Sequence, residues 1–176
     1  GATYGKISGF NALTTSGTFT VQIGAANTAD FSTYDPVAVG GTFILTSGTF
    51  IAPKTLNLTG SWTRTDGVFS HNNGTVNFVG RDQTINGGSN TFYNFSKVQT
   101  STAAILYVAA NTTQTVLNAA TLQGFSSSLR LIILANPGTG RWNFDPQGTR
   151  NFKNLDLRVT DNVNAKKINL ANTGSI

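Results

Sequence analysis

The chain has 176 residues and a formal net charge of +5, and 39% of its residues are hydrophobic while only 11% are charged. This apolar content is enough for the core of one domain or one run of repeats, and it argues against a disordered chain. Cysteine is absent, which excludes disulfides and thiolate metal sites. Glutamate is absent too, and the polar residues are mainly Thr, Asn, Ser and Gly, so the composition favours strands and tight turns over helices.

The distribution of charged and apolar residues argues against nucleic acid and against the membrane interior as partners. The 12 Lys and Arg residues are scattered singly and form no basic stripe, so we expect no nucleic-acid partner. The longest apolar stretch, residues 129–135, is too short to cross a bilayer, so we expect no membrane insertion. Methionine is absent, so we expect a processed chain or a fragment of a longer protein.

The chain is predicted to consist of a leading segment and one repetitive domain. Residues 1–16 form a leading or linking segment that is rich in Gly and Thr and holds at most one short strand. Residues 17–176 form a single domain, in which a Gly-Thr-Phe or Gly-Val-Phe triplet begins successive units at Gly17, Gly41 and Gly67. The spacing of roughly 24 to 26 residues is typical of solenoids and repeat arrays.

The unit at residues 41–66 shows the pattern most clearly. It contains three strand-sized segments, GTFIL, GTFIA and TLNLTGSW, which are separated by turn residues. Period-2 alternation directs two apolar side chains of each segment to one side. These inward pairs are Phe43 with Leu45, Phe50 with Ala52, and Leu56 with Leu58. Three inward faces around one core predict a triangular coil.

The unit at residues 67–89 is aligned with the preceding unit by its triplet. In this alignment Phe69 takes the place of Phe43. The turn Asn73-Gly74 then takes the corner of Ser47-Gly48, because Gly and Asn tolerate the positive φ of tight turns.

A fourth unit begins at Asn90, where Asn takes the place of the leading glycine, and short strands follow it. TRNFKNLDLRVTDN and AKKINLANTGSI are the last segments predicted to form strands, and in the first of them Leu155, Leu157 and Val159 lie on one face while Asp156, Arg158 and Thr160 lie on the other. The chain is therefore predicted to be all-β, a right-handed parallel β-helix of about six to seven coils. The alternative is an antiparallel β-sandwich, in which residues 1–16 complete the sheet of a neighbour by strand exchange.

Residues 48–162 follow an ordered pattern that includes the short motifs NNGTVNF, QTI and TFYNF and that ends in TDNVNA, at residues 160–165. In this order they resemble the repeat unit of large secreted or surface proteins of bacteria that have hemagglutinin-like or adhesin-like β-helix regions. The resemblance implies a β-helical building block of a long extracellular protein used for structure or attachment. Residues 1–40 match this pattern only loosely.

Candidate catalytic groups are few. His71 is the only histidine, and its place in the turn-like segment FSHNNG indicates a solvated polar residue. Two carboxylates that cleave a glycosidic bond must lie about 5 to 10 Å apart. Asp66 and Asp82 are the pair that could approach each other across adjacent coils.

Trp62, Arg64 and Arg81 are the neighbours that such an enzyme would use. We interpret Trp62 as a cover for the edge of the core and the two Arg as solvated charges. The sequence has neither the dense acidic run of a calcium site nor paired His for zinc. The sequence therefore assigns no catalytic residue, no cofactor, no cofactor-binding residue and no metal ligand, and it leaves the binding residues unknown. It predicts that the protein is not an enzyme.

The favoured function is a non-enzymatic structural subunit or repeat of a bacterial fibre, adhesin or surface assembly, located outside the cell or on its surface. Its partners would be copies of itself or adjacent repeats, joined through β-strand edges, with glycans or surfaces as further partners. Asn and Thr side chains stacked from coil to coil are predicted to form hydrogen-bonded ladders along the axis. The alternatives are a glycan-binding module and a polysaccharide-acting β-helix enzyme.

Overall fold

The computed structural model describes residues 12–136, 140–158 and 160–165. These residues form strands joined by short turns, and none of them belongs to a helix long and apolar enough to span a membrane. The first ten strands are β1 (Leu13–Thr15), β2 (Phe19–Gln22), β3 (Thr28–Asp30), β4 (Val37–Val39), β5 (Phe43–Ser47), β6 (Thr49–Ile51), β7 (Thr55–Leu58), β8 (Trp62–Arg64), β9 (Val68–Ser70) and β10 (Thr75–Phe78). The strands that follow are β11 (Gln83–Gly87), β12 (Asn90–Val98), β13 (Ala104–Val108), β14 (Thr113–Gln123), β15 (Leu131–Ala135), β16 (Trp142–Pro146), β17 (Thr149–Lys153), β18 (Leu155–Leu157) and β19 (Thr160–Asn162).

The strands stack into three faces, and each coil of the chain adds one strand to each face in the same order. Face 1 contains β1, β4, β7, β10, residues 94–98 of β12, residues 119–123 of β14, and β17. Face 2 contains β2, β5, β8, β11, β13, β15 and β18. Face 3 contains β3, β6, β9, residues 90–92 of β12, residues 113–116 of β14, β16 and β19. The 7-stranded sheet of face 2 therefore marks seven coils in the described part of the chain.

Every strand pair in these sheets is parallel. The prediction of an all-β parallel β-helix is confirmed, and the antiparallel sandwich is wrong. Within the leading segment, β1 pairs with β4 and so belongs to the first coil of face 1. Residues 1–11 of that segment lie outside the described residues.

The core is one continuous cluster of apolar side chains along the axis of the coils. The alternation of inward and outward residues was correct at six positions of the unit at residues 41–66, which are all buried: Phe43, Leu45, Phe50, Ala52, Leu56 and Leu58. Burial of each large side chain among them contributes about 1.5 to 3 kcal/mol. The strands are short, so each coil depends on the coils above and below it for this burial.

Aromatic rings stack from coil to coil inside face 2. The Phe19 and Phe43 ring centroids are 5.9 Å apart with an interplanar angle of 14°. The Phe43 and Trp62 centroids are 4.6 Å apart at 19°. Aromatic pairs of this kind add about 0.5 to 1.5 kcal/mol beyond the burial of their surface, so the column helps to set the register of the first three coils.

The alignment of the third triplet is corrected by the structure. Phe69 lies on face 3 and stacks on Phe50, with ring centroids 6.3 Å apart, and not on Phe43. Gly67 correspondingly lies over Gly48, and both have positive φ, +75° and +79°. The predicted equivalence of the Ser47-Gly48 and Asn73-Gly74 corners is therefore also wrong.

The reason is the length of a coil, which is shorter here than the spacing of the triplets. Asn57 and Asn77 occupy equivalent positions of face 1 and are 20 residues apart. Thr75 and Asn94, in the next pair of coils, are 19 residues apart. A glycine turn followed by an inward aromatic residue is needed at the start of face 2 and again at the start of face 3, so the same triplet marks two different corners.

In the last coil the predicted alternation holds at Leu155 and Leu157 but not at Asp156. Leu155 is fully buried, and Leu157 packs against the core. Asp156, predicted to face outward, is nevertheless buried, and its Oδ2 lies 2.5 Å from a guanidinium nitrogen of Arg158. Val159, the third predicted inward residue, lies outside the described residues.

Candidate functional surface

The two aspartates of the possible enzyme site do not come together. β8 and β11 stack in register, with Trp62 opposite Ile85. Asp66 follows the end of β8, whereas Asp82 precedes the start of β11, so the two carboxylates lie at opposite ends of face 2. The Oδ1 atom of Asp82 accepts a hydrogen bond from the backbone N–H of Ile105 at 2.9 Å. This carboxylate therefore fixes the corner of its own coil to the next coil.

The residues expected to flank those aspartates have other roles. Trp62 is fully buried in the core and does not cover its edge. Arg64 is not a solvated charge, because its Nε donates to Oδ1 of Asn90 at 2.9 Å and its Nη1 donates to the carbonyl of Gly67 at 3.0 Å. Arg81 is the exposed one, and it pairs with Asp82 at 3.4 Å.

His71 lies in a turn, as predicted. Its Nδ1 accepts a hydrogen bond from the backbone N–H of Asn73 at 3.1 Å. Its ring stacks on Tyr93 in the next coil, with centroids 5.6 Å apart. Partial burial lowers the pKa of His71 and favours the neutral ring, which suits a ring that accepts a hydrogen bond through Nδ1.

A buried lysine is the first polar feature that the sequence analysis missed. Lys97 is fully buried, and its Nζ donates to the carbonyl of Gly80 and to Oε1 of Gln83, both at 2.7 Å. Burial lowers the pKa of Lys97 to about 8, and the charge of Asp82 opposes the shift. The alternation in FSKV carried the signal, because Lys97 is two residues after the buried Phe95 and therefore points inward as well.

A second buried polar cluster surrounds Asn90, which is an inward residue of β12 and not a corner residue. Its Oδ1 accepts from Nε1 of Trp62 at 3.2 Å and from Nε of Arg64. Its Nδ2 donates to Oε1 of Gln114 at 2.9 Å. These bonds join three successive coils at the point where β9 and β12 form no strand pair. The cluster satisfies polar groups inside the core and offers no open site.

The outer side of face 1 carries regular rows of polar side chains. Two columns of outward side chains run along it, two residues apart on each strand. The first column consists of Thr55, Thr75, Asn94, Ala119 and Thr149. The second consists of Thr14, Ala38, Asn57, Asn77, Ser96, Thr121 and Asn151. We call this surface the Thr/Asn face.

Hydrogen bonds connect several side chains of the Thr/Asn face along the axis, so the predicted ladders are present as short runs of two or three coils. Asn77 Nδ2 donates to Asn57 Oδ1 at 2.8 Å. Asn94 Nδ2 donates to Thr75 Oγ1 at 3.2 Å and itself accepts from Nδ2 of Asn118 at 2.8 Å. The ladders hold the amides in fixed orientations on the surface.

Apolar side chains border the Thr/Asn face at the corner between faces 1 and 2. Val79 and Val98 follow the second column in two successive coils and are 54% and 40% exposed. Phe125, beyond the end of β14 in the next coil, is 50% exposed. The sequence contained both parts of this surface, but it gave no means to tell that the polar columns and the apolar corner lie side by side.

No group of three or more potential metal ligands occurs among the described residues. Comparisons with protein-family models, curated proteins and solved structures found no match for this chain. The resemblance to the bacterial repeat family therefore stays a prediction.

Proposed function

We propose that the chain is a non-enzymatic structural unit of an extracellular bacterial fibre, adhesin or surface assembly, and that it joins neighbouring units through its strand edges. The observation that carries the proposal is that the strands of the end coils are paired on one side only. Among the described residues, β1, β2 and β3 each pair on one side only, and so do β18 and β19 at the other end. Strands paired on one side offer backbone N–H and C=O groups to another strand.

The interior of the solenoid supports the same proposal, because each coil pairs with the next through parallel strands on face 1 and face 2. The Phe19 N–H donates to the Thr42 carbonyl in the second coil, and the Phe43 N–H donates to the Ser61 carbonyl in the third. A copy added end to end would extend the same ladder. Such head-to-tail contacts do not close on themselves, so they generate fibres.

The placement of the acidic residues weighs against the enzyme alternative. A glycosidase needs two carboxylates within reach of one bond, whereas Asp66 and Asp82 lie at opposite ends of face 2. Asp82 is also engaged with a backbone N–H and with Arg81.

The experiment is assembly of the purified chain as its concentration is raised, followed by light scattering and negative-stain electron microscopy. The parent should form fibres or stacked particles. Thr20→Pro should shorten or abolish them. Phe19 donates its N–H to the Thr42 carbonyl of the second coil, and successive residues of a strand direct their N–H groups to opposite sides. The Thr20 N–H therefore points away from the second coil, to the side on which β2 has no partner strand among the described residues, and proline removes this N–H.

The matched control is Thr20→Ala, which keeps the N–H and should assemble like the parent. Circular dichroism of both variants checks that the β structure is retained. A parent that stays monomeric at every concentration, or a folded Thr20→Pro that assembles as well as the parent, would contradict joining through this edge.

A further inference from the structure

We infer that the Thr/Asn face binds the surface of an insoluble, uncharged polysaccharide. The face repeats in two directions. Its columns repeat at about 4.8 Å along the axis, and they lie about 6.6 Å apart across the strands. Hydroxyl and amide groups in such an array can bond many sugar hydroxyls at once, so a ligand that presents an ordered array of hydroxyls fits it best.

The charge of the face selects a neutral ligand. The protein carries a net charge of +5, yet the two columns consist of Thr, Asn, Ser and Ala alone. Lys54 precedes the first column at one corner, and Lys153 ends a strand of face 1 at the other corner. An anionic polymer would find no cation within the columns, whereas a neutral polymer loses no charge solvation when it covers them.

The hydrogen-bonded ladders favour binding to a rigid surface. The amides of Asn57, Asn77, Asn94 and Asn118 are already held by their neighbours. Binding therefore loses less side-chain entropy than it would for free amides, at about 0.5 to 1.5 kcal/mol for each immobilised side chain. Each Asn still has donor or acceptor capacity left for a ligand, because an amide offers two N–H donors and two acceptor lone pairs.

The apolar corner supplies the second part of the contact. Sugar rings present C–H groups on their faces and hydroxyls around their edges. Val79, Val98 and Phe125 can lie against the C–H groups while the columns bond the hydroxyls. Ligand sites in proteins combine apolar contact with a few fixed polar groups in this way.

The test is a pull-down of the folded chain on microcrystalline cellulose and on chitin, in low and high salt. Asn77→Ala removes an amide from the centre of the second column. Asn86→Ala is the matched control, because Asn86 lies on the outer side of face 2 in the same coil and is likewise bonded by one Asn, Asn136, at 3.3 Å. We expect Asn77→Ala to weaken retention at least fivefold on a polysaccharide that the parent binds, and Asn86→Ala to leave it unchanged.

A second pair of variants separates loss of the binding surface from loss of the fold, because both variants replace an exposed apolar side chain. Phe125→Ala should also weaken retention, whereas Val68→Ala, at a residue of face 3 that is 58% exposed, should not. The inference is overturned if the parent binds neither polysaccharide, if binding disappears in high salt, or if Asn77→Ala and Asn86→Ala behave alike. It is also overturned if the face slows the growth of ice crystals and binds no polysaccharide.

Discussion

Lys97 makes the stability of the solenoid depend on pH in an unusual direction. Its side chain is fully buried, and both of its hydrogen-bond partners, the Gly80 carbonyl and Oε1 of Gln83, are neutral. Burial lowers the pKa of Lys97 from 10.5 to about 8. The perturbation that tests this is a rise in pH from 7.5 to 10.5.

The sign follows from the two protonation states. Because the folded pKa lies below the unfolded one, the folded chain releases its proton first as the pH rises. Between pH 8 and 10.5 the unfolded chain therefore binds more protons than the folded chain. The free energy of unfolding rises through this window, by about 3 kcal/mol for the full shift. A neutral amine still donates to both partners, so no hydrogen bond is lost in the change.

Urea denaturation followed by circular dichroism at several pH values measures the effect. The parent midpoint should rise between pH 8 and 10. Lys97→Met has no titrating group at this position and should lack the rise, whatever its stability at neutral pH; Lys97→Gln serves the same purpose if Lys97→Met does not fold. A parent whose stability is level or falls over this range, or a variant that rises as steeply as the parent, would refute the reasoning.

Two further predictions concern the core and one corner. Phe43→Ala should lower the free energy of unfolding by about 3 to 5 kcal/mol because it leaves a cavity in the aromatic column. Val68→Ala, at an exposed position, should change the free energy of unfolding by less than about 0.5 kcal/mol. Equal midpoints in urea for the two variants would contradict the core assignment. Gly67→Ala should lower the melting temperature, because φ is +75° and an added Cβ would lie 2.8 Å from a backbone oxygen of the coil below. Gly17→Ala is its control, since an added Cβ there meets nothing within 4 Å, and similar melting temperatures for the two variants would show that the corner is not close-packed.

The sequence was sufficient for the class of fold and for the inward residues of single strands. Alternation placed Phe43, Leu45 and Phe50 correctly because each strand is short and has only one buried side. Alternation acts within one strand, however, and contains no information about which strand lies above it. The stacking of Phe69 on Phe50 depends on the number of residues in the turns. The triplet occurs at two different corners of a coil, so its position in the sequence does not give the length of a coil.

The polar interior was harder to predict for a different reason. Lys97 and Asn90 occupy positions that the pattern rules reserve for apolar residues. Such residues are tolerated only when partners from neighbouring coils satisfy them, and those partners are distant in sequence: the Asn90 amide bonds Gln114, 24 residues away. The ladders, in contrast, were predictable in kind, because Thr and Asn dominate the outward positions. Their location on face 1 was not.

The proposed end-to-end assembly would strengthen the proposed binding to polysaccharide. A copy stacked on the first coil in the register used inside the solenoid would extend the column that begins at Thr14 and Ala38. Many copies would then contact one polysaccharide surface, and release would require all of them to detach together, so the gain in avidity is on the order of 100-fold or more. The assembled parent should therefore wash off cellulose or chitin far more slowly than Thr20→Pro, although the single-copy affinities should match because Thr20 lies on face 2. Equal wash-off rates for a fibre-forming parent and a monomeric Thr20→Pro would show that the columns of neighbouring copies do not act together.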